Sequence, residues 1–256
     1  MKIKKVILTL PHSICNGNST NDRSIQMCDL NSENFAQKLY NKLIENNINT
    51  VIIKSNNNRT ELDDNRYKKD IDEPNLIDLS KYPPIFKQTT FNETSQLWIN
   101  LRKETKKYYE ENNNSFDGLL ILDCHSFPKK SHPNLDFYLI DYKQINNQYS
   151  YLGQIIYNYF NENTEYNHTI KRGKDKFNSI IELTQLSNIQ CILIEILEEI
   201  DETKLNDIIS HFVKIIIQFE LENIIIKKLS LYYNYIVTPI NQLFGYPNII
   251  TKHKNN

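Results

Sequence analysis

The run Leu119 to Phe127 reads L-L-I-L-D-C-H-S-F, an apolar stretch that stops at Asp123, His125 and Ser126. A continuous apolar run suits a strand covered on both faces, and in open α/β sheets ligands bind in the crevice outside the carboxyl ends of such strands. Two further runs behave alike. Lys5 to Leu10 (K-V-I-L-T-L) leads into Pro11, His12 and Ser13, and Cys191 to Ile196 (C-I-L-I-E-I) carries Glu195 within an otherwise apolar strand. Two histidines and two or more carboxylates at separate strand ends are the raw material of a catalytic zinc site, which takes three protein ligands and leaves one position to water.

Each residue also has a plainer reading. A histidine after a strand often serves in an ordinary polar network. Glu195 stands apart, because a carboxylate between Ile194 and Ile196 is costly to bury unless it is paired, metal-bound or protonated. Zinc takes neutral imidazole and carboxylate, so His12 and His125 are the natural nitrogen ligands and the third ligand should be acidic. Asp123 lies two residues before His125, on the same strand face, where it could orient the imidazole.

These ends need elements to position them. Phe35, Ala36, Leu39, Tyr40, Leu43 and Ile44 recur at helical spacing and predict a helix over about 32–45, followed by a strand at 50–54. Leu97, Trp98, Leu101, Tyr108 and Tyr109 share one side of a second helix over about 93–111, which feeds the strand ending at His125. Asp136 to Asp141 (D-F-Y-L-I-D) reads as a strand, with helices near 146–161, 178–187 and 203–227. This alternation predicts an α/β fold with a central, mostly parallel or mixed sheet flanked by helices. Asparagine-rich joints at 16–21, 55–58 and 112–114 read as loops. The segment 229–256, rich in Tyr and Ile but broken by Pro239, Gly245 and Pro247, is too interrupted for a membrane span and is expected to pack on the body.

Composition sets the outer frame. A chain of 256 residues with 39% hydrophobic content can bury one substantial core, so a single domain over 1–256 is expected. The formal charge of −1 offers no global attraction to nucleic acid or to an anionic membrane, and neither is expected as a partner. Cys15, Cys28, Cys124 and Cys191 are scattered without a C-x-x-C pair and read as reduced thiols of a cytoplasmic protein. The start M-K-I-K-K-V-I-L-T-L has charge before apolar residues, but the run is short and reads as the first strand rather than a secretory signal.

The ordered set P-H-S at 11–13, R-T-E-L-D-D-N-R at 59–66, L-D-C-H-S at 122–126 and L-I-E-I at 193–196 resembles the N-formylglutamate amidohydrolase family, whose members are similar to the zinc carboxypeptidases and acylamino-acid deacylases. The family shows P-H-S-G, then R-x-x-x-D-x-N-R, then D-x-H-S, then a late strand carrying a glutamate. Arg59, Asp63, Asn65 and Arg66 fall in that register. The chain departs from the pattern where Ile14 replaces the glycine after P-H-S, and in K-R-G-K-D-K-F at 171–177, which keeps only Gly173 of a paired glycine.

The resemblance implies a zinc-carboxypeptidase-like fold and a zinc-dependent hydrolase that cleaves the amide of an N-acyl amino acid or short peptide. It implies Asp29, the acid just before the first helix, as third ligand beside His12 and His125, with Glu33 and Asp22 left open as alternatives. It further implies Glu195 as the residue that takes a proton from water and later passes it to the leaving amine. Arg66 would clamp a substrate carboxylate with two parallel hydrogen bonds, aided by Asn65 and Arg172, while Arg59 would polarise the scissile carbonyl or brace the loop. Two other readings stay open: a carboxypeptidase-like metallopeptidase, and a non-catalytic binding protein on the same fold, which the loss of glycine at Ile14 would suit.

Overall fold

A computed structural model of the chain describes residues 3–15, 28–56, 96–141, 151–163, 165–172 and 189–232, with only the backbone given for Tyr151, Asn163, Lys171, Arg172 and residues 220–232. The elements run β1 (Lys5–Leu10), α1 (Ser32–Glu45), β2 (Asn49–Lys54), α2 (Gln96–Glu111), β3 (Leu119–Phe127), β4 (Phe137–Asp141), α3 (Tyr151–Asn163), β5 (His168–Arg172), β6 (Gln190–Leu197) and α4 (Glu202–Tyr232). The six strands form one sheet in the order β2-β1-β3-β6-β4-β5. Every pairing is parallel except β4 against β6, so the sheet is mixed, as an α/β fold of this kind allows.

Strand β1 continues to β2 on one side, and the chain then crosses to β3 on the other. That reversal is the topological switch point at which open α/β sheets bind ligands. Because β1, β3 and β6 are mutually parallel neighbours, residues at their carboxyl ends converge on one edge.

Period-two alternation divides the core in two. Val6, Leu8, Leu10, Leu120, Leu122, Ile192, Ile194 and Phe137 point to one face and pack against Phe35 and Leu39 of α1, Phe160 of α3 and Phe212 of α4. Ile7, Leu119, Ile121, Cys191 and Leu193 point to the other, beneath Leu97, Trp98, Leu101 and Tyr108 of α2. At the amino end of this second face the buried Lys5 ammonium pairs with Glu104 of α2.

Helix α1 ends as asparagine chemistry dictates. Asn47 takes the left-handed conformation at φ 60°, and the Ile48 N–H donates to Leu43 O at 3.0 Å, closing the helix in the manner usually left to glycine. Asn113 and Asn114 do likewise after α2, at φ 54° and 55°. The joint expected at 112–114 is thus a left-handed turn.

Three expectations need adjusting. No strand is expected near 168–172, yet β5 pairs in parallel with β4 there. The helix expected from 146 begins at Tyr151 within the described residues, and that expected over 178–187 lies outside them. Of segment 229–256, α4 takes the part up to Tyr232 and the remainder lies outside the described residues. No helix among the described residues is long and apolar enough to cross a membrane.

Candidate metal centre

Residues His12, Asp29 and His125 meet at the switch point, all buried, with one potential ligand atom from each lying within 4.8 Å of the others. His12 follows β1, His125 belongs to β3, and Asp29 stands just before α1. The Asp29 Oδ2 atom is 2.7 Å from His125 Nδ1 and 3.5 Å from His12 Nδ1. The two imidazole rings meet edge to face with centroids 4.9 Å apart.

The segment bearing Asp29 has no strand or helix to fix it, so its backbone is tied down piece by piece. The Asp29 N–H donates to His12 O at 2.9 Å, and Ser32 returns its hydroxyl to Asp29 O at 2.8 Å. The Asn31 N–H donates to Ser126 Oγ at 3.1 Å, and the Leu30 N–H to Glu198 Oε1 at 3.4 Å. Glu33, an alternative third ligand, instead reaches outward to the Lys54 ammonium at 2.7 Å. Asp22 lies outside the described residues.

Asp123 does what its spacing suggests. Its Oδ2 is 3.1 Å from His125 Nε2, and its Oδ1 accepts the Thr9 hydroxyl at 2.7 Å. With Nε2 engaged by Asp123 and Nδ1 by Asp29, the ring is held in orientation by two carboxylates. Glu195 sits opposite His125 in the β3–β6 register, and Tyr138 of β4 sits opposite Glu195 on its other side and hydrogen-bonds to it.

Electrostatics follow from two carboxylates and two imidazoles sharing a dry site. Burial opposes charge on His125, but Asp123 and Asp29 outweigh it and push its pKa well above the usual histidine value. Burial likewise opposes charge on Asp29, yet the hydrogen bonds and charges of His12 and His125 hold its carboxyl far below the ordinary range. The Asp29 carboxylate is therefore an anion out of water, held by the two imidazoles beside it. Two imidazoles and a carboxylate with ligand atoms within 4.8 Å of one another could hold a metal ion, and zinc takes ligands of these kinds.

Glu195 is shifted the other way. Its burial, with Asp29 and Asp123 nearby, raises it to about 7 against the opposing pull of His125 and the Tyr138 hydrogen bond. Burial and the Glu195 charge push the Tyr138 phenol up in turn. Neither Tyr138 nor Glu198 is among the residues singled out by sequence. The alternation of F-Y-L-I-D places Tyr138 on the face of Ile140, but only the β4–β6 register brings it to Glu195.

Arg59, Asn65 and Arg66 lie outside the described residues, as does the side chain of Arg172, whose backbone ends β5. The expectation for the cysteines is corrected in part. Cys124 and Cys191 are free and buried, but Cys15 and Cys28 form a disulfide with Cα atoms 5.4 Å apart. Spacing along the chain could not show that these two approach within bonding reach. Disulfides persist in oxidising surroundings, so the expectation of a cytoplasmic location loses the four reduced thiols on which it rested.

No family model matches the sequence, and comparison with curated proteins finds no match. Among solved structures the chain is similar to the gene product Atu2144 of Agrobacterium tumefaciens, with a TM-score of 0.51 and 13% identity, over 86% of this chain and 91% of that one. It is also similar to the catalytic domain of CwlV, an N-acetylmuramoyl-L-alanine amidase of Bacillus (Paenibacillus) polymyxa var. colistinus, with a TM-score of 0.45 and 11% identity over 87% and 99% of the two chains. A mutant murine aminoacylase 3 matches with a TM-score of 0.45 and 13% identity, over 87% of this chain and 66% of that one. At such identities the likeness concerns architecture, and the chain shares with Atu2144 the α/β fold described above.

Proposed function

We propose that the chain is a zinc-dependent hydrolase that cleaves the amide bond of an N-acyl amino acid, N-formylglutamate or a close analogue. The observation that carries this reading is the buried convergence of His12, Asp29 and His125 at the switch point, with Glu195 directly across the register from His125. A zinc ion held by those three residues would supply a water of near-neutral pKa and polarise the substrate carbonyl.

The chain's own groups do the rest. Asp123 holds Nε2 of His125 and so fixes the ring for ligation through Nδ1. Glu195, at about 7, has the proton affinity a general base needs near neutral pH. Its carboxylate takes the proton of the attacking water and delivers it to the leaving nitrogen, while the Tyr138 hydroxyl keeps the carboxylate in place. Recognition of the substrate carboxylate falls to Arg66, with Asn65 and Arg172 beside it and Arg59 near the scissile carbonyl, on the strength of the family resemblance alone. A small molecule or short peptide is the substrate class, and neither nucleic acid nor membrane enters the reading.

The test begins with metal analysis. The purified protein should hold about one zinc per chain, and His125→Ala should fall well below stoichiometry. N-formylglutamate and related N-acyl amino acids should then be hydrolysed by the zinc form and not after chelation. Unchanged zinc affinity in His125→Ala would sink the metal assignment. Faster release of a C-terminal residue from peptides would favour the carboxypeptidase-like reading.

A further inference from the structure

The disulfide lies where the candidate ligands do. Cys15 is three residues beyond His12, and Cys28 immediately precedes Asp29, so the bridge closes a loop whose two ends each carry a ligand. His12 belongs to a segment anchored by β1, whose last residue Leu10 accepts the Ser55 N–H at 3.0 Å. Asp29 belongs to a stretch without regular structure. One backbone hydrogen bond, from Asp29 N–H to His12 O at 2.9 Å, joins the two directly, and the disulfide adds a covalent link between the same two segments. Cys28 is buried, while Cys15 is partly exposed.

We propose that the Cys15–Cys28 disulfide is a positioning clip for the metal centre, so that metal affinity depends on the thiol–disulfide state of the surroundings. The proposal rests on the metal-centre reading above. Reduction consumes two monothiol molecules: one attacks the bridge to form a mixed disulfide, the second resolves it, and the products are two protein thiols and one small-molecule disulfide. Two electrons and two protons pass to Cys15 and Cys28, and the two small thiols are oxidised together. Freed from the bridge, the Asp29 stretch keeps its hydrogen bonds to His12, Ser126 and Glu198 but loses its cross-link to the His12 segment, so the three-ligand geometry is enforced less tightly. Partners that orient metal ligands are worth about ten- to a hundredfold in affinity, and a covalent tie between two ligand segments belongs in that range.

Coupling of this kind is reciprocal. If oxidation favours zinc, zinc favours oxidation by the same factor. The experiment equilibrates the full-length protein in glutathione buffers of graded ratio, with and without zinc, and measures the oxidised fraction by trapping free thiols. Zinc is expected to shift the midpoint ratio toward the disulfide by about ten- to a hundredfold. In parallel, the zinc affinity of Cys15→Ser with Cys28→Ser, measured by competition with a chromophoric chelator, should fall by a similar factor. An unmoved midpoint, or a shift toward the thiols, overturns the clip; so does loss of the fold on reduction as seen by circular dichroism, which would make the bridge a general staple. Stoichiometric zinc on the oxidised protein with an unmoved midpoint removes the clip and keeps the metal centre. Absence of zinc on both forms removes both.

Discussion

The two faces of the central sheet are made by alternate residues of the same strands, yet they have opposite chemistry at the carboxyl edge. On one face Leu122, Cys124, Ile194 and Ile196 carry the apolar core onward to the aromatic cluster of Phe137, Phe160 and Phe212. On the other, the apolar series Ile7, Ile121 and Leu193 gives way to Thr9, Asp123, His125 and Glu195. At this edge one face continues the core and the other gathers the polar residues of the candidate site. The difference teaches that the site depends on strand register, since a one-residue slip of β3 would turn Asp123 and His125 into the aromatic cluster.

That division can be broken or sharpened by substitution on either side. The largest effect should come from Glu195→Gln, which keeps shape but removes the base. Turnover of a confirmed substrate should fall by about a hundredfold to ten-thousandfold while zinc content stays unchanged. If turnover stays within a few-fold of the parent, Glu195 belongs to the fold like the residues of the opposite face.

Next comes Phe137→Ala, on the aromatic face. The Phe137 ring is fully buried, with centroids 4.8 Å from Phe160 and 5.8 Å from Phe212. Its truncation should cost about 3–5 kcal/mol in denaturant unfolding, and the folded fraction should bind zinc within a few-fold of the parent. A large drop in zinc affinity at full folding would show that the two faces are not independent.

The smallest effect is expected from Asp123→Asn, which preserves a hydrogen bond to His125 Nε2 but not the charge. Zinc affinity should weaken by about ten- to a hundredfold, read by chelator competition, with stoichiometry still reached at excess metal. No change would assign Asp123 to the Thr9 hydroxyl it also accepts.

What the sequence shows follows the same division. Continuous apolar runs announced β1, β3 and β6, and the spacing of Phe35, Leu39 and Leu43 announced α1, because local period alone decides such elements. His12, Asp123, His125 and Glu195 were legible as polar interruptions of those runs. Strand β5 was not, since H-T-I-K-R has only Ile170 as an apolar residue and pairs on one side with β4. Tyr138 and the Cys15–Cys28 bridge were illegible for another reason. Each depends on a contact between segments whose approach no local pattern encodes. Asp29 needed the family resemblance, because an acid before a helix is ordinarily read as favourable to the helix start.

The sheet order has a consequence for how the protein comes together in time. Strand β1 pairs with β3 more than a hundred residues away along the chain, and β3 pairs with β6 about seventy residues further on. Contacts of such separation form slowly and late, because chain-closure entropy must be overcome before they repay it. His125 and Glu195 lie on these very strands and His12 directly follows β1, so their mutual geometry is complete only when the sheet is. A metal ion bound by the proposed ligands would therefore meet a finished site and act on the return journey, slowing unfolding far more than it hastens folding.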